Sequence, residues 1–201
     1  MDLSHKNLEI AAKYFLTGDT SKLDSLGEDY KNLFLVYATD NNSSTLRELV
    51  TLYLCGYESY AIKHGPDGYN PVTNQQVEIK PIYRNNRKLG RSGNFNDMNY
   101  ELLKSKEGLL IVCSFFYNDR LVYIVEFPIE LIQSQLLIPI INAKAGRRVV
   151  CSFGYNHYDG DKLNVRYYDD SVVDKYNCLS KPHREMLKRR FSGNDIKQLS
   201  E

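Results

Sequence analysis

Two apolar runs near the middle of the chain, Leu109–Tyr117 and Leu121–Phe127, flank an Asn118-Asp119 turn and commit the centre of the molecule to a β-hairpin. Further strands are expected at Gln75–Tyr83, Val149–Tyr155 and Leu163–Tyr168, the last two joined by Asn156–Asp161. Ahead of them, residues 4–16 carry Leu8, Ala11, Ala12 and Phe15 at helical spacing and stop at Gly18. A second helix is expected over 28–39. After the polar break Asp40-Asn41-Asn42-Ser43-Ser44, a long helix from Thr45 to about Lys63 has apolar residues over much of its circumference and should pack on a sheet. Residues 84–96 break the pattern, 97–106 suit a short helix, and 128–142 suit a helix interrupted near Pro139. There is no internal repeat and no dividing linker. The expectation is a single α/β (α+β) domain over 1–180, with a helical part to about 63, a core over 64–127 and later strands over 147–170. A basic polar tail over 181–201, helical from 182 to 190, completes the chain.

Composition excludes more than it selects. A chain of 201 residues, 42% hydrophobic and 25% charged, can bury a core of its own. No apolar run reaches the length of a membrane span, and the first residues, MDLSHKNLEI, hold no secretory core. Cys55, Cys113, Cys151 and Cys178 form no CxxC pair and read as buried thiols in a reducing, cytoplasmic compartment. No GxxxxGK[ST] occurs, so no nucleotide cofactor is expected. Sixteen tyrosines and no tryptophan decide nothing on their own.

The Gln75–Tyr83 strand carries the chemistry. Its alternation puts Val77, Ile79 and Pro81 on one face and Glu78 and Lys80 on the other, the latter two about 7 Å apart at the backbone. Asp67 sits in a Gly-Pro-Asp-Gly turn just before, where a tight hairpin brings its carboxylate beside Glu78. Two adjacent carboxylates repel unless a cation or proton joins them, which makes the pair a candidate divalent-metal site. The competing reading is a hairpin with a surface aspartate and an ordinary salt bridge.

Pro66-Asp67 followed by Glu78-Ile79-Lys80 resembles the PD-(D/E)xK nuclease superfamily, the phosphodiesterases that include most type II restriction endonucleases. The likeness is direct over 65–82 and holds over 43–127 only in the order of elements. It implies a restriction-endonuclease-like core, a mixed sheet flanked by helices. It further implies Mg²⁺, with Mn²⁺ as a substitute, held by Asp67, Glu78 and the backbone carbonyl of Ile79, with Lys80 beside the attacking water. A further acid on the preceding helix occurs in many members; Glu48 and Glu58 are the candidates here. His64 is either a phosphate contact or a solvent-exposed loop residue. The implied activity is hydrolysis of phosphodiester bonds in double-stranded DNA, by a homodimer where the target is palindromic. A structure-specific phage or repair nuclease and a non-catalytic binding module are the alternatives.

Net charge is +1, so a polyanion partner has to be sought in the distribution of charge. Lys80–Arg91 holds five cations and no acid directly after the ExK strand. Within Arg84–Asn96, the side chains of Arg84, Asn85, Asn86, Arg87, Arg91, Ser92, Asn94 and Asn96 are of the types that read base edges. A second basic group is Lys144, Arg147 and Arg148, and a second candidate reader is Asn156 with His157. The basic residues of 181–190 read as a solvated face.

Overall fold

The computed structural model describes residues 5–24, 26–40, 44–60, 65–144 and 147–199. Its centre is the hairpin of β5 (Leu110–Tyr117) and β6 (Arg120–Pro128), turned at Asn118, whose φ of 53° lies in the left-handed region that asparagine tolerates. Nearly every residue of both strands is buried, so they are covered on both faces. That explains continuous apolar runs in place of an alternation.

Around the hairpin lies a six-stranded mixed sheet. β3 (Gln76–Arg84) runs parallel to β5, from Val77 opposite Leu110 to Arg84 opposite Tyr117. β8 (Asn164–Tyr168) pairs antiparallel with β6. Beyond β3 come two short antiparallel strands, β2 (Gly68–Tyr69) and β1 (Glu58–Ser59). One face of the sheet, with Val77, Ile79, Val112, Phe116 and Ile124, packs under α1 (His5–Thr17), α3 (Glu28–Thr39) and α4 (Thr45–Cys55); the short α2 (Ser21–Asp24) adds Leu23. The other face, with Ile111, Cys113, Phe115, Val125 and Phe127, packs under α6 (Gln133–Ile141), α8 (Asp170–Tyr176) and α9 (Lys181–Arg190). A second, two-stranded sheet of β4 (Gly93–Met98) and β7 (Val149–Phe153) covers that face too, with the short helices α5 (Tyr100–Lys104) and α7 (Tyr155–Tyr158). Among the described residues, no helix is long and apolar enough to cross a membrane. The four cysteines are free and buried.

The structure corrects several expectations. The helix begun at Thr45 stops at Cys55, because Gly56 takes a left-handed φ of 71° and its N–H closes on the Leu52 and Tyr53 carbonyls. Its expected continuation becomes β1, and residues 61–64, including His64, lie outside those described. The strand expected over Val149–Tyr155 ends at Phe153, and the segment that joins it to Asn164–Tyr168 begins with the short helix Tyr155–Tyr158 and passes between two different sheets. Pro139 stays inside α6, near its end. The segment read as a polar tail begins with α9, which buries His183, Met186 and Leu187 in the core.

Candidate functional site

β2 is only two residues long, and what ends it creates the site. A side chain at Gly68 would lie 2.3 Å from the Glu58 carbonyl oxygen, so the close approach of β1, β2 and α4 requires glycine there. Gly68 pairs with Val77, and continuing that register sets Asp67 opposite Glu78. The chain then turns away at Pro66. Asp67 Oδ2 accepts the Ile79 N–H at 2.7 Å, the backbone donor that a longer β2 would have taken. In an extended strand, a residue's N–H and C=O point to the same edge, so the Ile79 carbonyl faces the Asp67 side as well.

Glu78 points to the opposite sheet face from Val77 and Ile79 and is 9% exposed. One oxygen accepts from Lys80 Nζ at 2.6 Å, the other from Lys106 Nζ at 3.4 Å. Both ammonium groups stand over the Phe95 ring, at 4.5 and 5.4 Å from its centre. β4 carries Phe95 across β3, and Gly93 permits the crossing: a Cβ there would lie 2.5 Å from the Phe153 ring and 3.2 Å from Lys80 Cβ. Gly93 therefore serves packing. Lys106 went unread in the sequence because nothing local marks it. It reaches Glu78 because β5 starts beside the start of β3, with Glu78 opposite Ile111.

Asp67 is the perturbed group. Burial, then the neighbouring charge of Glu78, push its carboxyl up to about 6, while the Ile79 amide and Lys80 work against that rise. Glu48, on α4, adds a smaller push in the same direction, so of the two candidate helix acids it is the one whose charge reaches Asp67. Glu58 lies on β1, not on a helix; it is exposed, and its carboxylate accepts from the Tyr69 hydroxyl. Among the described residues, no group of three or more His, Cys, Asp or Glu side chains is arranged to hold a metal ion. The oxygen set is Asp67, Glu78 and the Ile79 carbonyl. Those are hard donors of the kind Mg²⁺ accepts alongside its own waters, and a cation would relieve the repulsion that raises Asp67.

The expected DNA-reading segment divides in two. Arg84 ends β3, half-buried, with Nη1 on the Tyr83 carbonyl at 2.8 Å. Asn85, Asn86 and Arg87 are exposed in the bend that follows, where Asn86 has a φ of 63°. From Gly93 onward the chain is strand, with Asn94 donating to Asn96 at 3.0 Å on the exposed side and Arg91 reaching Ser152 Oγ at 3.3 Å. Ser92 is buried against the Tyr158 hydroxyl at 2.9 Å and has no surface to offer. Lys144, Arg147 and Arg148 are exposed between α6 and β7. Asn156 is exposed on α7, but His157 is engaged: its Nδ1 accepts the Gly154 N–H at 2.9 Å and fixes the start of that helix.

A cleft of about 350 Å³ opens along β3 beyond Asp67, between Pro81–Arg84, the segment Arg91–Asn94 and the start of α4. Arg47 lines it too, although its guanidinium is committed to the end of α3 through the Ala38 and Asp40 carbonyls, at 3.1 and 2.7 Å. Comparison with known protein families and with curated proteins finds no match for this chain.

Proposed function

We propose that the protein is a metal-dependent DNA endonuclease with a restriction-endonuclease-like core. One observation carries this reading: Asp67 and Glu78 stand opposite each other at the end of a two-residue hairpin, with Lys80 bonded to Glu78 at 2.6 Å. Asp67, Glu78 and the Ile79 carbonyl would hold Mg²⁺, or Mn²⁺ in its place. When bound, the ion supplies a nucleophile at neutral pH and stabilises charge on the transferring phosphoryl group. The protein's own part is positional. Asp67 is fixed by the Ile79 amide, Glu78 by two lysines, and Lys80 would orient an attacking water or stabilise charge on a phosphate oxygen. Lys106 is a second cation at the same carboxylate, able to keep Glu78 oriented while Lys80 turns to substrate.

Site-specific cutting of double-stranded DNA by a homodimer and structure-specific cutting are the two versions of this activity, and a cytoplasmic location suits either. The second reading is a binding module without catalysis. What favours it is that Glu78 is already neutralised by Lys80 and Lys106 without any metal. Plasmid and phage DNA incubated with Mg²⁺, with EDTA as control, separates the readings. Discrete bands support site-specific cutting, and nicking or trimming supports structure-specific cutting. Intact DNA in every metal tried leaves the binding module.

A further inference from the structure

The edge of β3 changes character past the hairpin. β2 covers it only at Gly68 and Tyr69, and beyond Asp67 no described strand pairs with it. Backbone parity turns the N–H positions of Ile79, 81 and Tyr83 to this edge, and Pro81 has no N–H to offer, which keeps another strand from adding there. What occupies the edge is the 350 Å³ cleft. Its walls are of two kinds. Pro81 and Ile82 are apolar, while Arg84, Arg91 and Asn94 are cationic or amide; Tyr83 is buried there with the Arg47 guanidinium 5.1 Å from its ring centre.

Arg84 and Arg91 are held by neutral groups, Arg84 on the Tyr83 carbonyl and Arg91 on Ser152 Oγ. Among the described residues, neither Arg84, Arg87 nor Arg91 forms an ion pair with a carboxylate, whereas Arg120, Arg166, Arg184, Arg189 and Arg190 all do. Arg84 is half-buried, and burial together with the like charge of Arg87 lowers its proton affinity. A partly desolvated guanidinium with only a cation for a charged neighbour is in an environment that an anion improves. Size limits which anion. A volume of about 350 Å³ is at the lower end for small-molecule pockets, ~300–1,000 Å³, and matches a ligand of about one nucleotide.

We propose that this cleft is a subsite for a single unpaired nucleotide, with its phosphate on Arg84 and Arg91, its sugar and base against Pro81 and Ile82, and Asn94 at the base edge. The binding stands by itself; only its relation to a cut four residues along the same strand, at Lys80, rests on the nuclease reading. On that reading the substrate is DNA with an unpaired nucleotide beside the scissile bond, as in a flap, a frayed end or a mismatch.

Binding is measured in EDTA, so that no cleavage intervenes, by fluorescence anisotropy of a labelled oligothymidylate and of a blunt duplex of the same length, with thymidine monophosphate and inorganic phosphate as competitors. The single strand should bind at least about 10-fold more tightly than the duplex, and the nucleotide should compete better than inorganic phosphate. Arg84→Gln with Arg91→Gln should weaken the single strand at least about 10-fold, and the exposed Arg91→Gln alone should account for part of that loss without risk to folding. Lys162→Gln, at an exposed cation before the strand on the far edge of the sheet, should leave binding unchanged. Equal affinity for duplex and single strand, equal competition by inorganic phosphate, or unchanged binding in both arginine variants overturns the proposal. Retained single-strand binding with no Mg²⁺-dependent cleavage supports the subsite and removes only the nuclease reading.

Discussion

Two carboxylates of the central sheet are each held by a cation, and only one of the two arrangements is closed. At the β6–β8 edge, Glu126 accepts from Tyr57 at 2.6 Å, from Arg166 at 3.2 Å and from Asn164 at 2.9 Å. Arg166 in turn bonds the Tyr57 hydroxyl at 2.9 Å and the Asp195 carbonyl at 2.8 Å, and its guanidinium lies over the Tyr57 ring. Burial and the Glu126 hydrogen bond hold the Tyr57 hydroxyl firmly protonated. One planar guanidinium meets the Glu126 carboxylate and, at 3.3 Å, the exposed Asp195 carboxylate, and the network ties residue 195 to β8. At the β3 edge, two flexible lysines share Glu78, a second carboxylate stands opposite and holds its proton well above the usual range, and a cleft opens alongside. The first arrangement is a strut. The second holds its two carboxylates through one backbone amide and two flexible lysines, which is what a site needs if it is to exchange protein partners for a metal ion or a phosphate.

The comparison breaks most visibly in activity. Asp67→Asn and Lys80→Met should each lower Mg²⁺-dependent cleavage by about 100-fold or more while leaving the folded structure intact, and Arg166→Met should leave cleavage per folded molecule unchanged. Gel assays of initial rate, normalised to the folded fraction by circular dichroism, check this; cleavage lost equally in all three variants would erase the distinction. Stability should show the reverse order. Removing Arg166 strands a carboxylate that is only 15% exposed, and Arg166→Met should cost about 3 kcal/mol in urea unfolding. Lys106→Met, which leaves Glu78 its Lys80 partner, should cost about 1 kcal/mol or less.

A pH series separates a buried group that belongs to neither edge. His183 lies on α9, stacked on Tyr155 at 4.4 Å, and burial lowers its imidazole to about 3. The folded protein keeps it neutral while the unfolded chain takes up a proton below about 6.5, so stability is present above that pH and falls as pH drops toward 3. Between pH 6.5 and 4.5 this group should remove about 2 kcal/mol, and His183→Phe should flatten that part of the stability curve. A slope unchanged in the variant assigns the acid sensitivity elsewhere. The smallest expected effect is a gain: in EDTA at pH 8, Asp67→Asn removes a charge opposed by Glu78 and should raise stability by about 1 kcal/mol, read as a higher melting temperature. A fall instead would mark Asp67 as a strut through its bond to the Ile79 amide.

Much of the strand and helix content was legible, and so was the pairing of Asp67 with Glu78, because each rests on neighbours in the sequence. The β5–β6 runs, the 3.6-residue spacing of α1 and the alternation of β3 need only local pattern, but the turn that brings Asp67 back beside Glu78 is Asn70–Gln75, not the expected Gly-Pro-Asp-Gly, which only leads into β2. Gly56 marks the stop of α4 in the sequence, although the apolar pattern around it continues; a left-handed glycine cap outweighs periodicity there.

What the sequence determined by itself is therefore the short-range part: the elements, their covered faces, and two carboxylates and a lysine on one hairpin. Tertiary structure alone decided the long-range part. Residues 93–98 became a strand because Val149–Phe153, some fifty positions away, supplies the partner ladder, and that strand laid Phe95 under Lys80. Lys106 entered the site, and Glu48 but not Glu58 came to bear on Asp67, through the parallel placement of β5 and the early end of α4. The physical reason is that periodicity records which face of an element is buried, whereas the partner across a non-local pair is chosen by the packing of the whole chain.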